Sequence, residues 1–287
     1  MCTPMRFILA VLLTVQVGRG FDADEIELFL RRSEVKADLQ AGYRAVYEGE
    51  IDNLDFRLTD FQVAFLDGHE LMLLRNTVFA RLGYIFRNET LLDHFRQFQW
   101  YGPEYDDVSP MLSDDDLWNI RLVRYYEDRI DHTVPGLPDE EGMAGFWHGS
   151  AAVGSGYSDR FLLFEEGKFV YRGSSMDGSS RLEELSGMWS LDGGHLVLDA
   201  DSASYLLGGD IIEPYASWGS EYVIENGVRT EVELVPHRVF RMPLDGYTNN
   251  YAECSGEEEY RHLTVPYVRI GFGGYWRISR DPAGMDY

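Results

Sequence analysis

The chain is poor in lysine, in cysteine and in long apolar runs. Only Lys36 and Lys168 are lysine among 25 basic residues, against 49 acidic ones. The formal net charge is −24. Such a chain repels phosphate backbones, so no nucleic acid partner is expected. Arginine supplies the other basic residues. Codon bias accounts for that preference, although an arginine fork can also grip a carboxylate. The two cysteines are Cys2 and Cys254. Cys2 precedes the first apolar run and cannot be a lipobox cysteine. Loss of the N-terminus would leave Cys254 alone, so stability must come from packing rather than from an intramolecular disulfide.

No apolar run reaches the roughly 20 residues that a membrane span needs. The longest, Phe7 to Val15, is broken by Thr14. Arg6 before it, and Gly18 and Gly20 after it, complete the three-part pattern of a secretory signal cleaved before Phe21. Cleavage would remove Arg6 and Arg19 and take the charge from −24 to −26. The expected location is the periplasm or the medium, with no stable membrane span in the mature chain.

What is present suffices for a folded core. Hydrophobic residues make up 45% and aromatics 14%, which argues against wholesale disorder. Phe21 to Tyr47 reads as helix, with Ile26, Phe29 and Leu30 on one face and Val35, Leu39, Tyr43 and Val46 continuing at helical spacing. His69 to Leu82 is a helix with a stripe of Leu71, Leu74, Val78 and Leu82, stopped by Gly83. Asn88 can cap a second helix holding Leu91, Leu92, Phe95 and Phe98. Ser113 with Asp116 forms a capping-box pattern ahead of a third, carrying Leu117, Ile120, Leu122, Val123 and Tyr126.

In that stretch, Glu70-Leu71, Leu74-Arg75-Asn76, Phe79-Ala80-Arg81-Leu82-Gly83, Tyr84-Ile85-Phe86, Trp100-Tyr101 and Asn119-Ile120 follow one another in the order of the YARHG domain. Residues about 58–127 therefore resemble that family. Two positions depart from its motif: Phe79 stands for the tyrosine and Leu82 for the histidine. The resemblance implies an exported protein and a small helical shape. It implies no reaction, and Leu82 cannot transfer a proton as histidine would. Arg75, Asn76 and Arg81 are ligand-binding candidates able to hold a carboxylate. Their structural alternative is to satisfy backbone carbonyls and fasten neighbouring helices.

Val134 to Gly142 mixes proline, glycine and charge without periodicity and reads as a linker. Beyond it, about a dozen short β runs alternate with turn signals. The sharpest signals are Glu166-Gly167 and Asp192-Gly193-Gly194. The expected fold class is α+β: a signal peptide (1–20), an N-terminal helical segment (21–57), a YARHG-like helical domain (58–130), a linker (131–143) and a separate antiparallel barrel or sandwich (144–287). Gly145-Phe146-Trp147, Gly187-Met188-Trp189 and Gly274-Tyr275-Trp276 share one pattern. The first, followed by a strand meander, resembles the opening of a lipocalin-type barrel. Trp147, Trp189 and Trp276 are therefore expected in the interior and are further ligand-binding candidates, because small barrels can hold one small molecule.

Motifs for metal, nucleotide and nucleophilic chemistry are absent. Ser33-Glu34-Val35-Lys36 matches S-x-x-K without its partner motifs and is read as chance. The acidic clusters at 106–107, 114–116 and 257–259 fit no calcium loop. No cofactor, metal site or catalytic residue is assigned. The expected function is an exported, non-catalytic envelope protein that binds a cell-envelope component or small ligand. The alternative is an extracytoplasmic hydrolase with a site built from scattered carboxylates and histidines. The discriminating observation is whether titratable side chains converge in one pocket or line an apolar cavity with few polar groups.

Overall fold

The computed structural model describes residues 23–131, 133, 136–151, 158–174, 180–212, 223–254 and 264–283. The expected signal peptide, part of the expected linker and the 257–259 acidic cluster lie outside the described residues.

The first apolar pattern makes two helices, α1 (Ala23–Leu39) and α2 (Ala41–Tyr47), with Gln40 between them. Val35, Leu39 and Val46 are buried as expected, but Phe29 is 49% exposed. Helix α3 (Asp60–Val63) is short and opens where the Thr59 N–H donates to Gln62 Oε1 at 3.0 Å. Helix α4 (Gly68–Ala80) starts with a reciprocal pair: Asp67 Oδ1 accepts from the Glu70 N–H, and Glu70 Oε2 accepts from the Asp67 N–H. Asn88 caps α5 (Glu89–Phe95), and the Ser113–Asp116 box opens α6 (Asp114–Glu127). On α6, Leu122, Val123 and Tyr126 are buried, whereas Leu117 is 43% exposed. Leu117 sits only three residues beyond the helix start, outside the packed face against α4.

One turn, α7 (Glu140–Met143), leads into the sheet. Its strands are β1 (Gly145–His148), β2 (Arg160–Leu163), β3 (Lys168–Arg172), β4 (Leu182–Asp192) and β5 (His195–Leu207). After a two-stranded ribbon of β6 (Asp210–Ile212) and β7 (Val223–Glu225) come β8 (Val228–Thr248), the turn α8 (Tyr251–Cys254), β9 (Tyr267–Ile270) and β10 (Gly273–Ser279). The order β1-β10-β9-β8-β5-β4-β3-β2 closes into an antiparallel barrel of eight strands. Each barrel strand pairs with the next barrel strand along the chain, β5 joining β8 across the β6–β7 ribbon, and β10 returns to β1. The fold class is α+β, and the barrel resolves the choice between barrel and sandwich. Its meander matches the resemblance drawn from Gly145-x-Trp147.

Several predicted runs merge. His195–Asp199 and Ser204–Leu207 are one strand, with the register shift to β8 between Ala200 and Ser202. Arg229–Leu234 and Val239–Met242 are likewise parts of the 21-residue β8. A polar interruption reads as a turn in sequence, but a bulge absorbs it without ending the strand.

The helices and the barrel share one continuous apolar core. Helix α1 packs on β5 and β8. Strand β8 outruns β9, with which it pairs only from Leu244 to Thr248. Helix α3 lies against the edge this leaves: the Arg241 N–H donates to Ala64 O at 2.8 Å. Phe61 of α3 is 3% exposed and meets Tyr171 of β3 and Phe240 of β8 at centroid distances of 4.6 and 5.2 Å. At the other end of α6, Arg129 pairs with Asp245 of β8 at 3.0 Å.

Candidate functional site

A cavity of about 870 Å³ lies where α3 and the loop before it meet one end of the barrel. That end is formed where β1 and β3 finish, β2 and β4 begin, and β9 turns into β10. The helical side contributes Asp38, Arg57, Asp60 and Trp118; the barrel side contributes Asp159, Tyr171, Arg181 and Tyr275.

Loop 54–59 is the wall from which Arg57 and Asp60 project, and α6 holds it in place. Asn119, fully buried, accepts the Leu58 N–H on Oδ1 at 2.7 Å and donates from Nδ2 to Phe56 O at 3.0 Å. Trp118 Nε1 donates to Leu58 O at 3.1 Å. Arg81 Nη2 donates to Leu54 O at 3.0 Å and to Asp116 Oδ1 at 2.6 Å, and its Nη1 reaches Asp55 at 2.5 Å. Backbone groups of Leu54, Phe56 and Leu58 and the carboxylates of Asp55 and Asp116 are thereby engaged, which braces the loop.

Asp60 sits deepest on this wall. Tyr126 Oη donates to its Oδ1 at 2.6 Å and the Phe272 N–H to the same oxygen at 2.8 Å. Gly271, at φ +59°, brings the β9–β10 turn this close. A Cβ there would stand 2.4 Å from Asp60 Oδ1, so no larger residue fits. Burial pushes the Asp60 carboxyl up to about 6, although the hydrogen bonds from Tyr126 and Phe272 oppose the shift. Asp38 is also pushed up to about 6 by burial, against the pull of Arg181 and Gln62. Tyr126, Tyr171 and Tyr275 are held well above the usual phenol range, first by burial and then by nearby Asp60 or Asp159. Arg57 is committed to Asp115 at 2.9 Å, over the Trp118 ring at 5.4 Å.

The six candidates read from the sequence lie elsewhere. Arg75 forks onto Glu127, with Nε at 2.6 Å and Nη2 at 3.3 Å. Asn76 Nδ2 donates to Met72 O at 2.8 Å. Arg81 braces the cavity wall without lining it. Trp147 is fully buried with Nε1 on Met143 O at 2.8 Å, and Trp189 is 6% exposed with Nε1 on Phe164 O at 2.9 Å. Trp276 is only partly buried, between Tyr251 and Tyr267, and its Nε1 has no partner. None of the six lines the cavity. Among the described residues, no group of three or more His, Cys, Asp or Glu side chains is placed to hold a metal. His148 and His195 are buried, and the ring nitrogens of His195 face the carbonyls of Gly193 and Arg129.

Residues 51–128 match the model of the YARHG domain. The chain carries a YARHG domain. The match begins at Ile51, seven residues before the start read from the sequence, and so takes in the whole 54–59 loop. Asp60, Arg57 and Trp118 are thus YARHG residues, and Arg81 of its name-giving motif braces their loop. YARHG is typically an extracytoplasmic domain. Among the described residues, no helix is long and apolar enough to cross a membrane. Comparison with curated proteins and with solved structures finds no match.

The sequence carried a signal for part of this site. Thr59-x-x-Gln62 has capping-box spacing and marks α3. Nothing in the spacing joins Asp38, Asp60, Asp159 and Tyr275, which meet only in three dimensions.

Proposed function

We propose that this is an exported binding module of the cell envelope, and that its ligand occupies the cavity between the YARHG domain and the barrel. The observation that supports this is the cavity itself. Its volume of about 870 Å³ lies in the range of small-molecule sites, roughly 300–1,000 Å³. Its walls combine aromatic faces with many polar and titratable side chains, Asp38, Asp60, Asp159 and Arg181 among them, on one side held by a braced loop. Export places the mature N-terminus at Phe21, which N-terminal sequencing of protein recovered outside the cytoplasm checks; an intact Met1 there overturns it. Binding is tested by thermal shift of the mature chain against sugars, amines, carboxylates and peptides. At least one class should raise Tm in the parent and not in Ser180→Trp, which fills the cavity from the β4 side. Hits that ignore Ser180→Trp, or no hits, overturn the reading.

A hydrolase is the second reading, favoured by two carboxyls near pKa 6 in one cavity. Turnover of a glycoside, ester or peptide array by the parent, lost in both Asp38→Asn and Asp60→Asn, would establish it. Unchanged turnover in either would remove that carboxyl from the chemistry.

A further inference from the structure

The following rests on the mouth cavity being the binding site and concerns what it binds. Tyr275 is 5% exposed and lines the cavity, yet among the described residues its hydroxyl has no hydrogen-bond partner. Asp60 is similar: both of its hydrogen bonds fall on Oδ1, and Oδ2 receives none among the described residues. A donor-acceptor hydroxyl and a carboxylate oxygen therefore line the same cavity with hydrogen-bonding capacity left for a ligand.

The charge around them has one sign. Asp60 and Asp159 are the charged groups acting on Tyr171 and Tyr275. No arginine or lysine offsets Asp60. The two arginines of the lining are engaged elsewhere: Arg57 on Asp115, and Arg181 on the carbonyls of Leu206 and Gly208 while facing Asp38. Around this point stand aromatic rings. Phe161 meets Tyr171 at 5.0 Å and Tyr275 at 5.1 Å, and Phe61 meets Tyr171 at 4.6 Å. Ring faces attract cations, and a chain of net charge −24 concentrates them at its surface. An anion would meet two carboxylates. A neutral polyol would satisfy Tyr275 but leave the Asp60 charge uncompensated.

We infer that the cavity binds a protonated organic amine, its ammonium group on Asp60 Oδ2 and the Tyr275 hydroxyl, and its hydrocarbon body against the aromatic wall. The amine is either a free small molecule or the side chain of a lysine on a partner.

The binding follows the ionisation of Asp60, whose carboxyl is held up to about 6. The groups facing it are Tyr125 and Tyr126 of α6, Tyr171 of β3, Tyr275 of β10 and Asp159 ahead of β2. All four tyrosines titrate far above neutrality, which leaves Asp60 to set the dependence. Affinity is full well above pH 6 and falls as pH drops through it.

Calorimetric titration of the mature chain separates the outcomes. The probes are 1,4-diaminobutane, its uncharged counterpart 1,4-butanediol, and a short lysine-containing peptide, at pH 7.5 and 5. The diamine should bind, the diol should not, and diamine affinity should drop about tenfold at pH 5, where about a tenth of Asp60 is ionised. Asp60→Asn should lose at least as much at pH 7.5, and Tyr275→Phe less, with Tyr275→Phe still melting cooperatively and Asp60→Asn melting no lower than the parent. Peptide binding without diamine binding assigns the ammonium to a partner's lysine and supports the inference. Equal binding of diol and diamine, or diamine binding indifferent to Asp60→Asn, overturns it while leaving the cavity as a binding site. Failure of every ligand class, including those of the thermal-shift panel, sinks the cavity reading as well.

Discussion

The helical region and the barrel treat buried polarity in opposite ways. In the YARHG domain buried polar side chains tie one segment to another: Arg75 holds Glu127, Arg81 holds Asp116 and Asp55, and Asn119 holds three backbone groups of the 54–58 loop. The barrel interior is aromatic and aliphatic, and its tryptophans at 147 and 189 settle their N–H groups on nearby carbonyls. At the seam, Asp60 and Tyr275 keep hydrogen-bonding capacity on the cavity side. Saturated networks rigidify, and incomplete ones mark where something else belongs. On the binding proposal, scaffolding falls to each half and recognition to their junction.

Removing the helical half tests that contrast most severely. A fragment of residues 144–287 loses Phe61 from its place against Tyr171 and Phe240. It should retain strand signal by circular dichroism but melt well below the full chain. A fragment as stable as the whole would show that the barrel needs no cover. Next in size are single core changes. Trp147→Ala should cost about 3–5 kcal/mol by denaturant titration. Arg81→Ala should cost a similar amount, about 3–5 kcal/mol, because it strands Asp116, whose side chain is 3% exposed. An effect under about 1 kcal/mol would reduce the arginine to a surface ornament and remove the brace from the cavity wall.

Backbone geometry comes third. Gly83 lies at φ +84° with Gly102 O 3.0 Å from where a Cβ would stand. Gly83→Val should cost about 1–3 kcal/mol, while Leu82→His, at a half-buried position, should change Tm little. Equal effects would refute the helix-stop role. The smallest expected effect has the opposite sign. A carboxyl whose folded pKa is raised to about 6 favours the fold below its unfolded value near 3.8, and that contribution is lost as pH rises through 6. Asp60→Asn should therefore stabilise the unliganded chain at pH 8, by about 3 kcal/mol at most. The gain should shrink through pH 6 and vanish near pH 4. A gain independent of pH would mean that Asp60 does not titrate there.

Local devices were legible in the sequence because they are written within a few residues. Asn88, Ser113 with Asp116, Gly83 and the Asp192-Gly193-Gly194 turn all sit where their chemistry placed them. The eight-stranded closure was only half legible: alternation marks strands, but register shifts let β5 and β8 run through polar breaks. Phe29 and Leu117 show the limit of periodicity, which orders residues around a helix without saying how wide the buried face is. The seam was not legible. Asp60 and Phe272 are 212 residues apart, and the motif residues that drew notice, Arg81 and Asn119, act one step behind the cavity.

The closure of the barrel through β1 and β10 has a consequence for how the chain is made. While synthesis proceeds from the N-terminus, the strand beginning at Gly145 keeps one edge bare until the one ending at Ser279 has emerged. Such an edge is a template for pairing with other chains. The same late segment brings Gly271, Phe272 and Tyr275 to Asp60. Chains halted before this hairpin would carry the whole helical half and most strands, yet have an open sheet and no formed pocket. The formed pocket and the paired sheet edge thus arrive together, once this hairpin has emerged.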